Sequence, residues 1–265
     1  MTEYRDILVE RRDGVVTITL NKPDRLNAMS WDSWDELVDA LRRAGADDDS
    51  KAIIITGAGR GFCSGSDLSR AAAEQEAPPK ETTRAQKLRN GYLATCDIVA
   101  CQKPTIAAIN GTTAGAGLSL ALACDIRIAS ETARLSAIFV RRGLSPDFGC
   151  TIFLPRIVGL SKALELMYTG DMLDAQEALR LGLVTRVVPP DRLLPVATDL
   201  ARRIAAGPSL AIEATKRLTY RALLDELEDQ VRLEEYWSRL CQASEDAVEG
   251  VRSFLEKREP RFRGR

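Results

Sequence analysis

The sequence contains no histidine among its 265 residues. This absence excludes the Ser-His-Asp and Cys-His arrangements that activate a nucleophile, and every metal site built on imidazole ligands. Acid and base chemistry in this chain must therefore come from Asp, Glu, Lys, Tyr or Cys side chains. We expect no metal centre, and carboxyl groups are the first candidates for proton transfer.

Long apolar runs and net charge are also missing. No run reaches the roughly 20 residues that span a bilayer, and residues 1–6 lack the apolar core of a signal peptide. The 37 Lys and Arg residues nearly balance the 38 Asp and Glu residues, so no overall field favours nucleic acid or an anionic membrane. We therefore expect a soluble, cytoplasmic protein with neither nucleic acid nor membrane as a partner.

The six cysteines are scattered and include no C-x-x-C pair, which is typical of free thiols in a reducing compartment. Cys63 lies next to a glycine-rich turn and is the one cysteine that invites a catalytic interpretation. No His or adjacent Lys is present to lower the pKa of its thiol, so we interpret Cys63 as a packing residue.

The chain is organised around residues 111–125, GTTAGAGLSLALACD. The preceding residues 105–110, TIAAIN, are typical of a buried strand, and the apolar run that follows is typical of a helix. Gly115, Ala116 and Gly117 are therefore predicted to form a strand-to-helix turn. Such a turn presents unpaired N–H groups at the positive end of a helix, where they can stabilise an anion or a charge that develops during a reaction. A tight packing turn remains the alternative.

A second glycine-rich stretch, GAGRGFCSGSDLS, follows a short apolar strand at residues 52–56. It satisfies neither G-x-G-x-x-G nor G-x-x-x-x-G-K-[ST], so we reject a dinucleotide-binding or phosphate-loop fold.

The order of the elements predicts an α/β protein. Asp13-Gly14 separates two β-rich runs and indicates a hairpin. Strands alternate with helices up to about residue 190, and the remainder is predominantly helical, with a break near Gly207-Pro208. We predict a core domain over residues 1–195 and a helical C-terminal part over residues 196–265.

Five stretches in this order resemble the crotonase superfamily, the enoyl-CoA hydratase and isomerase family. They are NKPDRLNAMS, GRGFCSGSDL, NGTTAGAGLSLALACD, FVRRGLSPDFG and EGVRSFLEKREPRFRG. The resemblance implies a ClpP-like spiral of β-β-α units and an acyl-CoA thioester as substrate, with coenzyme A entering only as part of that substrate and no separate cofactor. It also implies C-terminal helices that pack on neighbouring subunits in a homotrimer or a dimer of trimers.

The resemblance also implies which residues meet the substrate. The backbone N–H groups of Ser66 and Ala116 would hold the thioester oxygen. Arg25 and Ala28 would lie along the coenzyme A, with Asp67 and Leu68 near its adenine. The other residues expected at the substrate are Ser64, Ala114, Gly115, Phe139 and Pro146. Two alternatives stay open, a capping carboxylate for Asp67 and a solvated surface charge for Arg25.

The reaction is less closely specified, because the two glutamates of the family's hydratases are replaced by Ser119 and Phe139. A carboxylate remains at Asp147, at a position where the family's isomerases carry an acidic catalytic residue. One carboxylate can move a proton between two carbons, and an apolar wall of Ile138, Phe139 and Phe148 would raise its pKa. A turn-forming role for Asp147 is the alternative.

Three functional hypotheses follow. The first is an acyl-CoA double-bond isomerase that uses Asp147 as proton shuttle, and the motifs look closest to the ring-modified phenylacetyl-CoA isomerase branch. The second is an enoyl-CoA hydratase that lacks both usual glutamates. The third is a non-catalytic acyl-CoA-binding protein. The acyl group itself is not readable, although residues 70–92 are expected to shape its pocket.

Overall fold

The computed structural model describes residues 4–67, 93–224 and 227–261, which form two sheets surrounded by helices. The larger sheet has the order β1-β2-β3-β5-β7-β10, and the smaller one has the order β4-β6-β8-β9. Pairing is parallel except between β1 and β2 and between β8 and β9. Leu68 and the predicted acyl-pocket stretch at residues 70–92 lie outside the described residues.

The strands are β1 (Ile7–Arg12), β2 (Val15–Leu20), β3 (Ala52–Gly57), β4 (Gly61–Cys63), β5 (Thr105–Ile109), β6 (Thr112–Ala114), β7 (Ile126–Ser130), β8 (Arg134–Ser136), β9 (Leu173–Asp174) and β10 (Arg186–Val188). The helices are α1 (Trp31–Ala46), α2 (Ala94–Ala100), α3 (Ala116–Ala123), α4 (Cys150–Val158), α5 (Leu160–Thr169), α6 (Ala175–Arg180), α7 (Leu193–Ala205), α8 (Ser209–Leu224), α9 (Leu227–Gln242) and α10 (Glu245–Leu255). Short 3-10 helices occupy Pro23–Arg25, Ile138–Arg142 and Pro190–Arg192.

From β3 to β8, consecutive strands alternate between the two sheets. The pairs β3 and β4, β5 and β6, and β7 and β8 each contribute their first strand to the larger sheet and their second to the smaller one. This repeated pattern is the spiral of β-β-α units that the sequence predicted. It brings the ends of β4 and β6 side by side, because the two strands pair in parallel.

The core lies on both faces of the larger sheet. On one face, Trp34, Leu37 and Leu41 of α1 are at most 1% exposed and belong to the core. On the other face, α7 packs Ala197 and Ala201 against the strands. Since α7 begins at Leu193, it spans the proposed division at residue 195, and that division stays a prediction.

Local signals account for the chain reversals. The antiparallel hairpin of β1 and β2 is confirmed, with φ of 53° at Asp13 and 74° at Gly14, the left-handed values that a two-residue I′ turn needs. Ser30 caps α1 by accepting a hydrogen bond from Ser33 N. One difference is a short strand, β6, between the buried strand β5 and the turn at Gly115. None of the helices in the described ranges is long and apolar enough to cross a lipid bilayer.

Candidate active site

A cavity of about 640 Å³ opens between the ends of β4 and β6, the 3-10 helix Ile138–Arg142 and helix α10. The structure brings most of the predicted site residues to its wall, namely Arg25, Ala28, Ser64, Ser66, Asp67, Ala114, Gly115, Ala116, Phe139 and Asp147. Pro146 is not among the described residues that line it, and the predicted contact at Leu68 lies outside the described residues.

The first turn orients the amide of Ser66. Ser66 forms a parallel bridge with Met29, in which Met29 N donates to Gly65 O at 2.8 Å and Asp67 N donates to Met29 O at 3.0 Å. Because peptide groups alternate in direction along an extended chain, the Ser66 N–H faces away from Met29. Among the described residues, it donates no backbone hydrogen bond, so it is available to a ligand.

The second turn presents the amide of Ala116. Gly115 adopts φ of 56° and ψ of −129°, and its N–H donates to Ser136 O at 3.1 Å. Ala116 is the first residue of α3, where an N–H has no acceptor within the helix. No backbone acceptor for it is found in the part of the chain that the structure describes.

The two turns are in direct contact. A Cβ atom placed on Gly65, whose φ is 100°, would lie 2.9 Å from Ala114 O and 3.4 Å from Ala116 N. A Cβ on Gly117 would lie 2.1 Å from Cys63 O, so α3 starts pressed against β4. Glycine at both positions therefore allows the Ser66 and Ala116 amides to line one cavity.

Asp147 lies at the wall of the same cavity with only 5% of its surface exposed. Its Oδ2 accepts a hydrogen bond of 3.4 Å from Ser238 Oγ of α9, whereas its buried Oδ1 has no partner among the described residues. Burial, and then the nearby charge of Glu234, raise the pKa of Asp147 well above its usual value. The carboxyl group is thus held in a setting that favours its protonated form.

The side chain of Ser119 supports the backbone of Asp147. Its hydroxyl donates to Asp147 O at 2.9 Å and approaches Gly115 O at 3.5 Å. Ser119 is fully buried in α3. The residue therefore links the turn that carries Ala116 to the loop that carries Asp147.

A second buried carboxylate, Glu234 of α9, holds the start of α4. It accepts hydrogen bonds from Gly149 N at 2.5 Å and Thr151 N at 2.9 Å, and also from the Thr151 hydroxyl. A carboxylate suits this place because the first amides of a helix carry partial positive charge. Sequence reasoning missed Glu234 and Ser238, although their spacing of four residues on a helix was a readable signal.

The expected apolar wall around Asp147 is only partly as predicted. Ile138 and Phe139 line the cavity. The expectation for Phe148 is wrong, because its ring stacks on Trp34 in the core with centroids 4.6 Å apart. Its backbone φ of 54° is left-handed, so the side chain leaves the loop in a direction that a regular backbone would not give.

Charged residues also line the cavity. Arg25 Nη1 contacts Asp67 Oδ2 at 2.9 Å, and Lys22 Nζ lies 3.8 Å from the same oxygen. Asp67 is therefore an ion-pair partner with 8% of its side chain exposed, while 58% of the Arg25 side chain stays accessible. Both residues contribute to the cavity wall.

The thiol of Cys63, next to the first turn, is poorly suited to nucleophilic chemistry. Burial raises the pKa of the Cys63 thiol to about 12, which disfavours the nucleophilic thiolate. Within the described ranges, no cluster of three or more His, Cys, Asp or Glu side chains is arranged to hold a metal ion.

Comparisons with known proteins agree with this geometry. A family model described as enoyl-CoA hydratase/isomerase matches residues 10–265. The chain is 36% identical to 1,2-epoxyphenylacetyl-CoA isomerase of Escherichia coli over 98% of both chains, and 40% identical to a probable enoyl-CoA hydratase of Rhodobacter capsulatus over 99% of both. Its structure superposes on an enoyl-CoA hydratase/isomerase of Pseudoalteromonas atlantica with a TM-score of 0.88 and 32% identity, covering 98% and 100% of the two chains. The resemblance found in the sequence is confirmed, and the chain is an enzyme of the enoyl-CoA hydratase/isomerase family.

Proposed function

We propose that this protein is a double-bond isomerase that converts 3-enoyl-CoA thioesters into their conjugated 2-enoyl isomers. The observation that carries the proposal is the placement of the buried Asp147 on the cavity wall, with Oδ1 unpartnered among the described residues. The family resemblance adds that Ser119 and Phe139 stand where the hydratases carry their two glutamates.

The reaction begins with removal of a proton from C2 by the Asp147 carboxylate. The electron pair of the C–H bond moves into the thioester, and the resulting dienolate carries its negative charge on the thioester oxygen. The amides of Ser66 and Ala116 stabilise that oxygen, and one such donor is commonly worth about 2.7–4 kcal/mol in the transition state. Asp147 then returns the proton to C4, which leaves the double bond between C2 and C3.

The raised pKa of Asp147 suits this exchange. A carboxyl group with a pKa nearer the working pH is a stronger base when ionised and still a competent acid when protonated. The hydrogen bond from Ser238 occupies Oδ2, so Oδ1 is the oxygen that accepts and returns the proton.

Hydration is supported less well. It requires a group that activates water in addition to one that protonates the adjacent carbon. The Ser119 hydroxyl is engaged with backbone carbonyls, and Phe139 has no proton to exchange. Asp147 would then have to serve both roles.

The coenzyme A part of the substrate is proposed to lie along Arg25, Ala28, Ser64 and Asp67. The cationic face of Arg25 suits a phosphate, because most of its side chain remains accessible. We also propose assembly as a homotrimer or a dimer of trimers through the C-terminal helices. Large exposed apolar side chains on α8 support this, with Leu210 81% and Leu218 68% exposed.

The test is incubation with 3-hexenoyl-CoA and, separately, with 2-hexenoyl-CoA while the absorbance of the conjugated thioester is followed. Isomerisation raises the absorbance from the first substrate and leaves most of the second unchanged. A hydratase would instead deplete the second. Absence of either reaction, together with tight binding of both esters, would favour the non-catalytic binding protein.

A further inference from the structure

Arg142 is a cation on the cavity wall that the proposed reaction does not use. It ends the 3-10 helix Ile138–Arg142, in which side chains three residues apart eclipse one another. Arg142 therefore projects on the same side as Phe139, and both line the cavity. Its guanidinium carbon lies 4.2 Å from the centroid of the Phe254 ring of α10, which also lines the cavity.

The charge of Arg142 has no acidic partner within ion-pair distance among the described residues. Its polar contact is a hydrogen bond of 3.2 Å from Nη1 to the backbone oxygen of Arg141. By contrast, the adjacent Arg141 pairs with Asp171 at 2.7 Å. Partial burial of the guanidinium, and then the charge of Arg141, lower the pKa of Arg142. An anion that reached this guanidinium would offset the cost of that burial.

Arg142 is connected through Phe139 to the turn that carries Ala116. A Cβ on Gly115 would lie 3.9 Å from the Phe139 ring, so Phe139 adjoins the turn that carries Ala116. Arg142 follows one 3-10 turn later, about 6 Å along the helix axis. With the thioester oxygen on the two amides and the reacting carbons at Asp147, an acyl chain would continue past Phe139 towards Arg142.

We propose that Arg142 binds a carboxylate at the far end of the acyl chain, so that the preferred substrates are coenzyme A monothioesters of dicarboxylic acids. A guanidinium can hold a carboxylate through two parallel hydrogen bonds while its face stays stacked on Phe254. This inference rests on the proposed function for the placement of the thioester.

The experiment measures binding of two saturated esters by titration calorimetry, which avoids turnover. Glutaryl-CoA and pentanoyl-CoA have acyl chains of equal length and differ in the terminal carboxylate. We expect the wild-type protein to bind glutaryl-CoA at least about 10-fold more tightly. Arg142→Met should abolish this preference and leave pentanoyl-CoA affinity within about twofold, since only the anion loses its partner.

Arg141→Met is the matched control, because it removes a neighbouring charge that does not line the cavity and should keep the preference. Arg142→Lys keeps the positive charge but lacks the planar guanidinium, so it should retain part of the preference for glutaryl-CoA. This variant provides a second measurement if Arg142→Met does not fold.

Equal affinity of the wild type for the two esters would overturn the inference. So would an Arg142→Met variant that loses affinity equally for both esters and for free coenzyme A, because Arg142 would then bind a phosphate of the coenzyme. Isomerisation of 3-hexenoyl-CoA without tighter binding of glutaryl-CoA than of pentanoyl-CoA would contradict this inference and leave the proposed function standing. Failure to bind either ester would contradict both this inference and the proposed function.

Discussion

The hydroxyl of Ser119 lies 2.9 Å from the backbone oxygen of Asp147 and donates a hydrogen bond to it. By its resemblance to the family's hydratases, Ser119 takes the place of a catalytic glutamate. Its side chain instead supports the loop that carries the Asp147 carboxyl group. Because Ser119 belongs to the helix that begins at Ala116, one buried hydroxyl fixes the distance between the proposed oxyanion site and the proposed base.

Replacing Ser119 by Ala should slow the reaction without weakening substrate binding. The change removes one neutral hydrogen bond, worth about 1–2 kcal/mol when its buried acceptor loses a partner. We expect kcat to fall about 5- to 30-fold while KM changes less than twofold. Steady-state kinetics with 3-hexenoyl-CoA provide the measurement. Ser130→Ala, which removes a buried hydroxyl bonded to Thr132 outside the cavity, should leave kcat unchanged.

Replacing Ser238 by Ala should move the pH dependence of catalysis. The Ser238 hydrogen bond stabilises the ionised form of Asp147, so its loss raises the pKa of Asp147 further. The acidic limb of the kcat/KM profile should therefore shift to higher pH. Ser253→Ala removes a buried hydroxyl that bonds Gly250 O, and its profile should overlay that of the wild type. If the Ser238→Ala profile also overlays that of the wild type, Ser238 does not influence the proton transfer.

Replacing Gly65 by Ala should impair the oxyanion site. The new Cβ would press on Ala114 O and Ala116 N, and one of the two amides would move out of line. A loss of about 10²–10³-fold in kcat is expected from the value of one such donor. Gly182→Ala is the control, because Gly182 also has a left-handed φ, of 75°, but has no neighbour within 4 Å of the new Cβ. Equal losses in the two variants would point to backbone strain instead.

Replacing Asp147 by Asn should change stability in a pH-dependent way. The pKa of Asp147 is raised in the folded state, so its contribution to stability is complete below the unfolded pKa of about 4 and is lost as pH rises through the folded pKa. The variant, which cannot ionise, should gain stability relative to the wild type as the pH increases. Urea unfolding at pH 5 and pH 8 measures this difference. Ser253→Ala, which removes no ionisable group, should give a difference that does not change with pH.

Much of the fold and part of the site were readable from the sequence, because their signals are local. Small residues at Gly115 and Gly65 mark turns that only a short stretch of chain has to specify. Asp147 was found through a motif that resembles a known family. Each of these predictions depends on residues that are close together in the chain.

The partners of Asp147 were not predicted, because they come from distant segments. Ser238 is 91 residues away from Asp147 in the sequence. Glu234 is 85 residues away from Gly149, whose amide donates a hydrogen bond to it. Helical spacing identifies them as one face of α9 but does not say what that face meets. The expectation for Phe148 failed because the left-handed backbone at that residue redirects its ring, and no pattern in the sequence signals it.

The central claim is that Asp147 carries one proton from C2 to C4 of the acyl group. The most direct measurement uses 3-hexenoyl-CoA deuterated at C2, in ordinary water, with mass spectrometry and NMR of the product. The account predicts that part of the deuterium reappears at C4, because the buried carboxyl group exchanges slowly with solvent, and that Asp147→Asn forms no product. Complete loss of the label to water, or isomerisation by Asp147→Asn at the wild-type rate, would contradict it.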